Sequence, residues 1–147
     1  MVAAAFASTL TYAPGGGGSL TQSFGVNVSY AAISAGTIDV GVGTAIDTTI
    51  EIPFGGVNVE AQGVVIKNNT GIDIGIRLND LPTVVAPATS ASIYRLAPGG
   101  MWMHWAPKAA GSQKLTKAAF VVTKTVANPA PPAPPEAGTV EYIVLGS

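Results

Sequence analysis

Few residues of this chain could do chemistry. His104 is the only histidine, and there is no cysteine. Disulfides, thiolate metal sites and a cysteine nucleophile are therefore excluded. His104 lies in the run Met101-Trp102-Met103-His104-Trp105, with no nucleophile at a motif spacing. The sequence contains no G-x-S-x-G and no H-E-x-x-H. The acids Asp39, Asp47, Glu51, Glu60, Asp73, Asp80, Glu136 and Glu141 are scattered. Folding could bring any two to glycosidase spacing, but nothing in the sequence selects a pair. The glycines of PGGGG, PFGG and APGGM lack the Lys-Ser/Thr and the helix that a phosphate loop needs, so they are read as turns. The expectation is a chain without catalytic residues, metal or cofactor.

The 101–105 run remains the most unusual feature. It holds both tryptophans and two of the three methionines. In a strand, Met101, Met103 and Trp105 share one face, while Trp102 and His104 share the other. Both faces are bulky. One can enter a core; the other then needs a further layer, a ligand or a partner. Tryptophan and methionine are enriched at protein contacts.

Composition points the same way. Only 10% of the 147 residues are charged, against about 25% in ordinary globular chains. So few ionic groups leave a weakly polar surface that tends to associate. With 7 Lys+Arg and a net charge of -1, no basic face for nucleic acid is expected. No apolar run is long enough for a transmembrane helix. The start, MVAAAFASTL, lacks a basic region and is read as mature chain, not as a signal peptide.

The elements that must position these residues show period-two alternation. Ile38, Val40 and Val42 alternate with polar or glycine positions, as do Ile72, Ile74, Ile76 and Leu78. Phe6–Tyr12, Phe24–Tyr30, 50–54, Val57/Val59, Ser92–Leu96, Met101–Trp105, Ala119–Thr125 and Thr139–Leu145 read as further strands. A helical turn is conceivable only near Lys114–Ala119. The expected fold is all-β, a sandwich or jelly-roll-like domain of about ten short strands. KNNTG suggests a hairpin over residues 64–78, and APGG suggests another joining Ser92–Leu96 to Met101–Trp105. Residues 1–18 are expected to form an N-terminal arm and Gly-rich joint that either pairs with a neighbouring chain or forms a surface loop. Residues 19–147 form the body. Within it, the Pro-rich 128–138 makes a stiff strap over the domain's own edge or an adjacent subunit, and 139–145 a central strand.

The hairpin segment GVVIKNNTGIDIGIRLN, the turn in YRLAPGGMWMHW and the terminal VEYIVLG resemble virion structural proteins of tailed bacteriophages, especially capsid decoration (cement) proteins. That resemblance implies a β-sandwich or jelly roll, often a homotrimer. It would bind the major capsid protein at the capsid surface of the virion after synthesis in the host cytoplasm. The residues expected at contacts are Phe6, Leu10, Tyr12, Met101, Trp102, Met103 and Trp105. Two other readings stay open. One is a tail, head-fibre or receptor-binding module that stacks surface carbohydrate on Trp102 or Trp105. The other is a hydrolase with a carboxylate pair.

Overall fold

The computed structural model describes residues 2–12, 20–57, 61–79, 94–105 and 115–146. All regular structure among them is β. Strands β1 (Val2–Tyr12) and β2 (Leu20–Tyr30) form an antiparallel two-stranded ribbon. The others are β3 (Ala32–Val40), β4 (Thr49–Glu51), β5 (Ala61–Asn68), β6 (Ile74–Leu78), β7 (Tyr94–Leu96), β8 (Met101–Trp105), β9 (Ala118–Val122) and β10 (Gly138–Gly146). They make two four-stranded antiparallel sheets, ordered β3-β10-β5-β8 and β4-β9-β6-β7.

The ladders have a simple logic. β3 pairs with β10, β4 with β9, β5 with β8 and β6 with β7, as in one long hairpin. Rolling up that hairpin adds the pairs β5–β10 and β6–β9. One core forms from both sheets. Val64, Ile66, Val140 and Val144 come from the first, and Ile74, Ile76, Phe120 and Val122 from the second. The C-terminal strand is central, as its two-faced apolar pattern requires.

Several expectations are corrected. Residues 64–78 do not form a hairpin, because β5 and β6 lie in different sheets. Both edges of β5 are taken by β10 and β8, so 69–73 carries the chain across to the second sheet. Likewise β7 pairs with β6, not with β8, and the APGG turn crosses back between the sheets. Strand β3 begins at Ala32 and ends at Val40, leaving Val42 exposed beyond it. In 50–54 only the start is strand; Val57 is buried next to a turn, and Val59 lies outside the described residues. No helical turn spans 115–119: Leu115 forms a β-bridge with Ala61. The first strand pairs along its whole length with β2 of its own chain, and β2 has no other ladder partner among the described residues.

Asn68 joins the two crossings. It is fully buried, and its main chain reaches the second crossing: its N–H donates to Gly100 O at 2.9 Å, and its carbonyl accepts from Gly99 N–H at 2.7 Å. Its Nδ2 donates to Ile72 O at 2.8 Å and to Leu96 O at 2.9 Å. Its Oδ1 accepts from Thr70 N–H at 3.0 Å and Thr70 Oγ1 at 2.7 Å. Both amide hydrogens and both carbonyl lone pairs are used, which is the full capacity of the side chain. Gly99, at φ 74°, supplies the left-handed turn that brings its N–H there.

The strap ends on the first crossing. Gly71 N–H donates to Glu136 O at 3.0 Å, and Asn69 N–H donates to Thr139 O at 2.9 Å. A Cβ on Gly71 would lie 2.0 Å from Pro135 O, so only glycine permits this approach. The Glu136 carboxylate accepts from Lys124 Nζ and from Ala127 N–H. The Lys124 hydrogen bond, followed by the Ala127 amide, holds its carboxyl below the usual range. This contribution is present above the ordinary carboxylate pKa and is lost as pH falls through the lowered folded value.

Asn68→Ala removes two donors and an acceptor from a site closed to water. It is expected to destabilise the fold by about 3 kcal/mol or more, since each orphaned buried group costs about 1–3 kcal/mol. Urea titration followed by circular dichroism measures this; a midpoint equal to wild type would refute the role given to Asn68.

Candidate interaction surface

Side chains directly opposite in an antiparallel ladder point to the same face. The register of the β3-β10-β5-β8 sheet therefore writes its outer face as rows. One row is Ile33, Leu145, Gly63 and Trp105. The next is Ala35, Ile143, Val65 and Met103. Neither contains a polar side chain. The third is Thr37, Glu141, Lys67 and Met101, where Lys67 Nζ lies 3.8 Å from Glu141 Oε2. Asn69 Nδ2 donates to Glu141 Oε1 at 2.7 Å. The apolar rows thus end at a polar rim, the usual organisation of a protein contact.

Exposure separates the two sheets. Ile33 is 54%, Ile143 42% and Met101 55% exposed. A shallow hollow among Val65, Lys67, Met101, Glu141, Tyr142 and Ile143 opens on this face. The outer face of the β4-β9-β6-β7 sheet differs. Its register puts Ala119, Val121, Arg77, Glu51 and Arg95 outward; the first three are buried, while Glu51 and Arg95 on the flanking strands are exposed. The second sheet's outer face is thus buried at its middle strands and charged at its flanks, whereas the first sheet's leaves Ile33, Ile143 and Met101 exposed around a buried Leu145.

Met101, Met103 and Trp105 fall on the open face, at the edge strand β8. Trp102 points inward opposite Ile66 and packs against the core. His104 lies opposite Val64, with its ring stacked on Trp102 at 6.2 Å and 11°. Tyr94 completes an aromatic step, 6.4 Å from Trp102, and is itself largely exposed. Phe6, Leu10 and Tyr12 lie on β1, in register with Val26, Gln22 and Leu20. The expected contact residues therefore divide into two groups, one on β1 and one on β8.

Sequence reading missed Ile33, Val65 and Ile143. Ile33 precedes the place where alternation becomes clear. Ile143 belongs to a strand apolar on both faces, whose pattern reads as buried on both sides.

Gly63 and Trp105 pack as a pair. A Cβ on Gly63 would lie 2.4 Å from Trp105 Cζ3 and 2.5 Å from Cε3, so the indole lies flat on the glycine. For chemistry the surroundings offer little. Glu136 and Glu141 are held by the partners already named, and no group of three or more metal-ligating residues occurs among the described residues. Burial lowers the pKa of His104 from the ordinary 6.5. No described helix is long and apolar enough to cross a membrane.

No protein-family model, curated protein or solved structure matches the chain.

Gly63→Ala is expected to displace the Trp105 ring and cost about 1–3 kcal/mol, the range for overpacking. Near-ultraviolet circular dichroism and thermal melting report both effects. The His104 shift has a definite sign. The unfolded chain takes up a proton near pH 6.5 while the folded chain resists it. Stability is then complete above pH 6.5 and declines as pH falls from there through the lowered folded value. His104→Gln should flatten that part of the stability profile in urea titrations run at successive pH values.

Proposed function

We propose that this chain is a non-enzymatic virion assembly protein of the capsid decoration type, built on a jelly-roll sandwich. The rolled hairpin of pairs β3–β10, β4–β9, β5–β8 and β6–β7 supports the jelly-roll reading, an architecture shared by viral capsid, lectin and cupin domains. Architecture does not specify function, so the reading rests on the surface. The observation that carries it is the open apolar face of the β3-β10-β5-β8 sheet, bounded by the Lys67–Glu141 rim. Such a face loses free energy in water and regains about 25 cal/mol per Å² of apolar area when another protein covers it. On a symmetric shell, repetition multiplies a modest contact into firm attachment. The low charge content fits a protein that works within an assembly.

A second reading is carbohydrate recognition in a tail or fibre module. Tyr94, exposed beside Trp102, is the ring that favours it. Trp102 is less suited, because its ring is engaged by His104 and the core.

Two experiments decide between these. Where a major capsid gene neighbours that of this chain, the purified chain is sedimented with empty shells of that capsid protein. Saturable, stoichiometric binding that raises the shell's melting temperature is expected; absence of co-sedimentation would refute the decoration reading. On a glycan array, binding lost in Tyr94→Ala would establish the carbohydrate reading instead.

A further inference from the structure

We infer that two copies of this chain pair through the outer face of the β3-β10-β5-β8 sheet, about a two-fold axis that runs along the strands between β10 and β5. The inference concerns the chain off any shell and does not rest on the capsid reading. One face holds one partner at a time, so such a dimer and a shell contact would compete.

The face has no complete cover in the single chain. Ile33, Ile143 and Met101 are exposed, and so are Ala35 and Thr37 on β3. Leu145, in the first row, is already buried. The contact therefore centres on the second and third rows.

Those rows are complementary to themselves. A two-fold axis along the strands lays β10 of one copy on β5 of the other, and β3 on β8. From β3 to β8, the second row is Ala35, Ile143, Val65 and Met103. Turned on itself, it sets the small Ala35 against the long Met103, and Ile143 against Val65. Small meets large at the edges and medium meets medium at the centre, which keeps two packed layers evenly spaced. Aligned sheets hold their strand directions within about 30° of each other, so the central pairs stay matched.

Charge selects the axis. In the third row β10 carries Glu141 and β5 carries Lys67. Both side chains are half-exposed, and their charged atoms lie 3.8 Å apart within one copy. The axis sets Glu141 of each copy over Lys67 of the other. The acids and bases of the two copies then alternate in sign around the axis. A two-fold axis across the strands does the opposite. It turns the third row onto the first and lays Lys67 over Gly63 and Glu141 over Leu145. Both charges would lose water without gaining a partner across the contact, a costly arrangement. Four strands span about 19 Å, which places the contact at the small end of stable interfaces. A dissociation constant in the micromolar range is expected.

Light scattering after size exclusion tests this on the full chain. Wild type is expected to pass from monomer to dimer as its concentration rises through the micromolar range. Ile143→Asp, at the centre of the apolar row, should stay monomeric with an unchanged far-ultraviolet circular dichroism spectrum. Lys67→Glu and Glu141→Lys each set like charges across the axis, twice over by symmetry, and should weaken the dimer about tenfold or more. The decisive step mixes these two variants. In the third row the Lys67→Glu copy carries only acids and the Glu141→Lys copy only bases. Their mixture should therefore recover a heterodimer at wild-type concentrations. Four results would each overturn the proposal: a wild type that is monomeric throughout the micromolar range, a trimer or larger ring, a dimer that survives Ile143→Asp, or a mixture of the charge variants that associates no better than either alone. If Ile143→Asp loses its β spectrum, Val65→Asp takes its place with the same expectation. Shell sedimentation enters none of these outcomes, so the capsid reading stands or falls separately.

Discussion

The fold depends on the constraint met at Asn68. Two chain crossings, 69–73 and 97–100, must run side by side, because the strands entering and leaving them pair with one another. Crossing between sheets strips main-chain groups of ladder partners, and buried orphans of that kind are expensive. One fully buried amide supplies the missing partners for Ile72 and Leu96, while its own main chain ties the first crossing to Gly99 and Gly100. The strap then closes over the same corner through Gly71 and Asn69. Moving Asn68 would disturb both crossings and the strap together.

From that corner follows an asymmetry in how the sheets meet solvent. The second sheet has its outward Ala119, Val121 and Arg77 buried and its outward Glu51 and Arg95 in water. The first sheet presents two apolar rows with a polar rim, with Ile33 and Ile143 exposed. A protein with so few charged side chains cannot dress such a face with lysine and glutamate, the common means of keeping sheets apart in solution.

Trp105 and Gly63 form a packed pair on that face. The indole replaces a side chain that glycine lacks, so bulk at the edge strand is spread inward over β5. Trp102, one pleat away from Met103, does the opposite and fills the core. Adjacent residues of one run therefore serve the interior and the exterior.

Much was legible in the sequence. Alternation over 24–30, 38–40 and 74–78 marked strands, because side chains of a strand change face at every residue, although 74–78 proved buried on both faces. The two-faced apolar pattern of Thr139–Leu145 marked a central strand. The alternation of Met101–Trp105 sorted Trp102 from Trp105 before any coordinates did. Pairing was not legible. KNNTG and APGG carry turn residues that suit a hairpin and a crossing equally well, since Asn and Gly satisfy local dihedral demands without specifying which sheet the next strand joins. That choice was made by long-range competition for the edges of β5 and by the burial of the Asn68 amide, both of which join residues distant in sequence. Exposure of Ile33 and Ile143 was likewise decided only in three dimensions. An apolar side chain reads the same whether its face is covered or open, and only the arrangement of the sheets determines which it is.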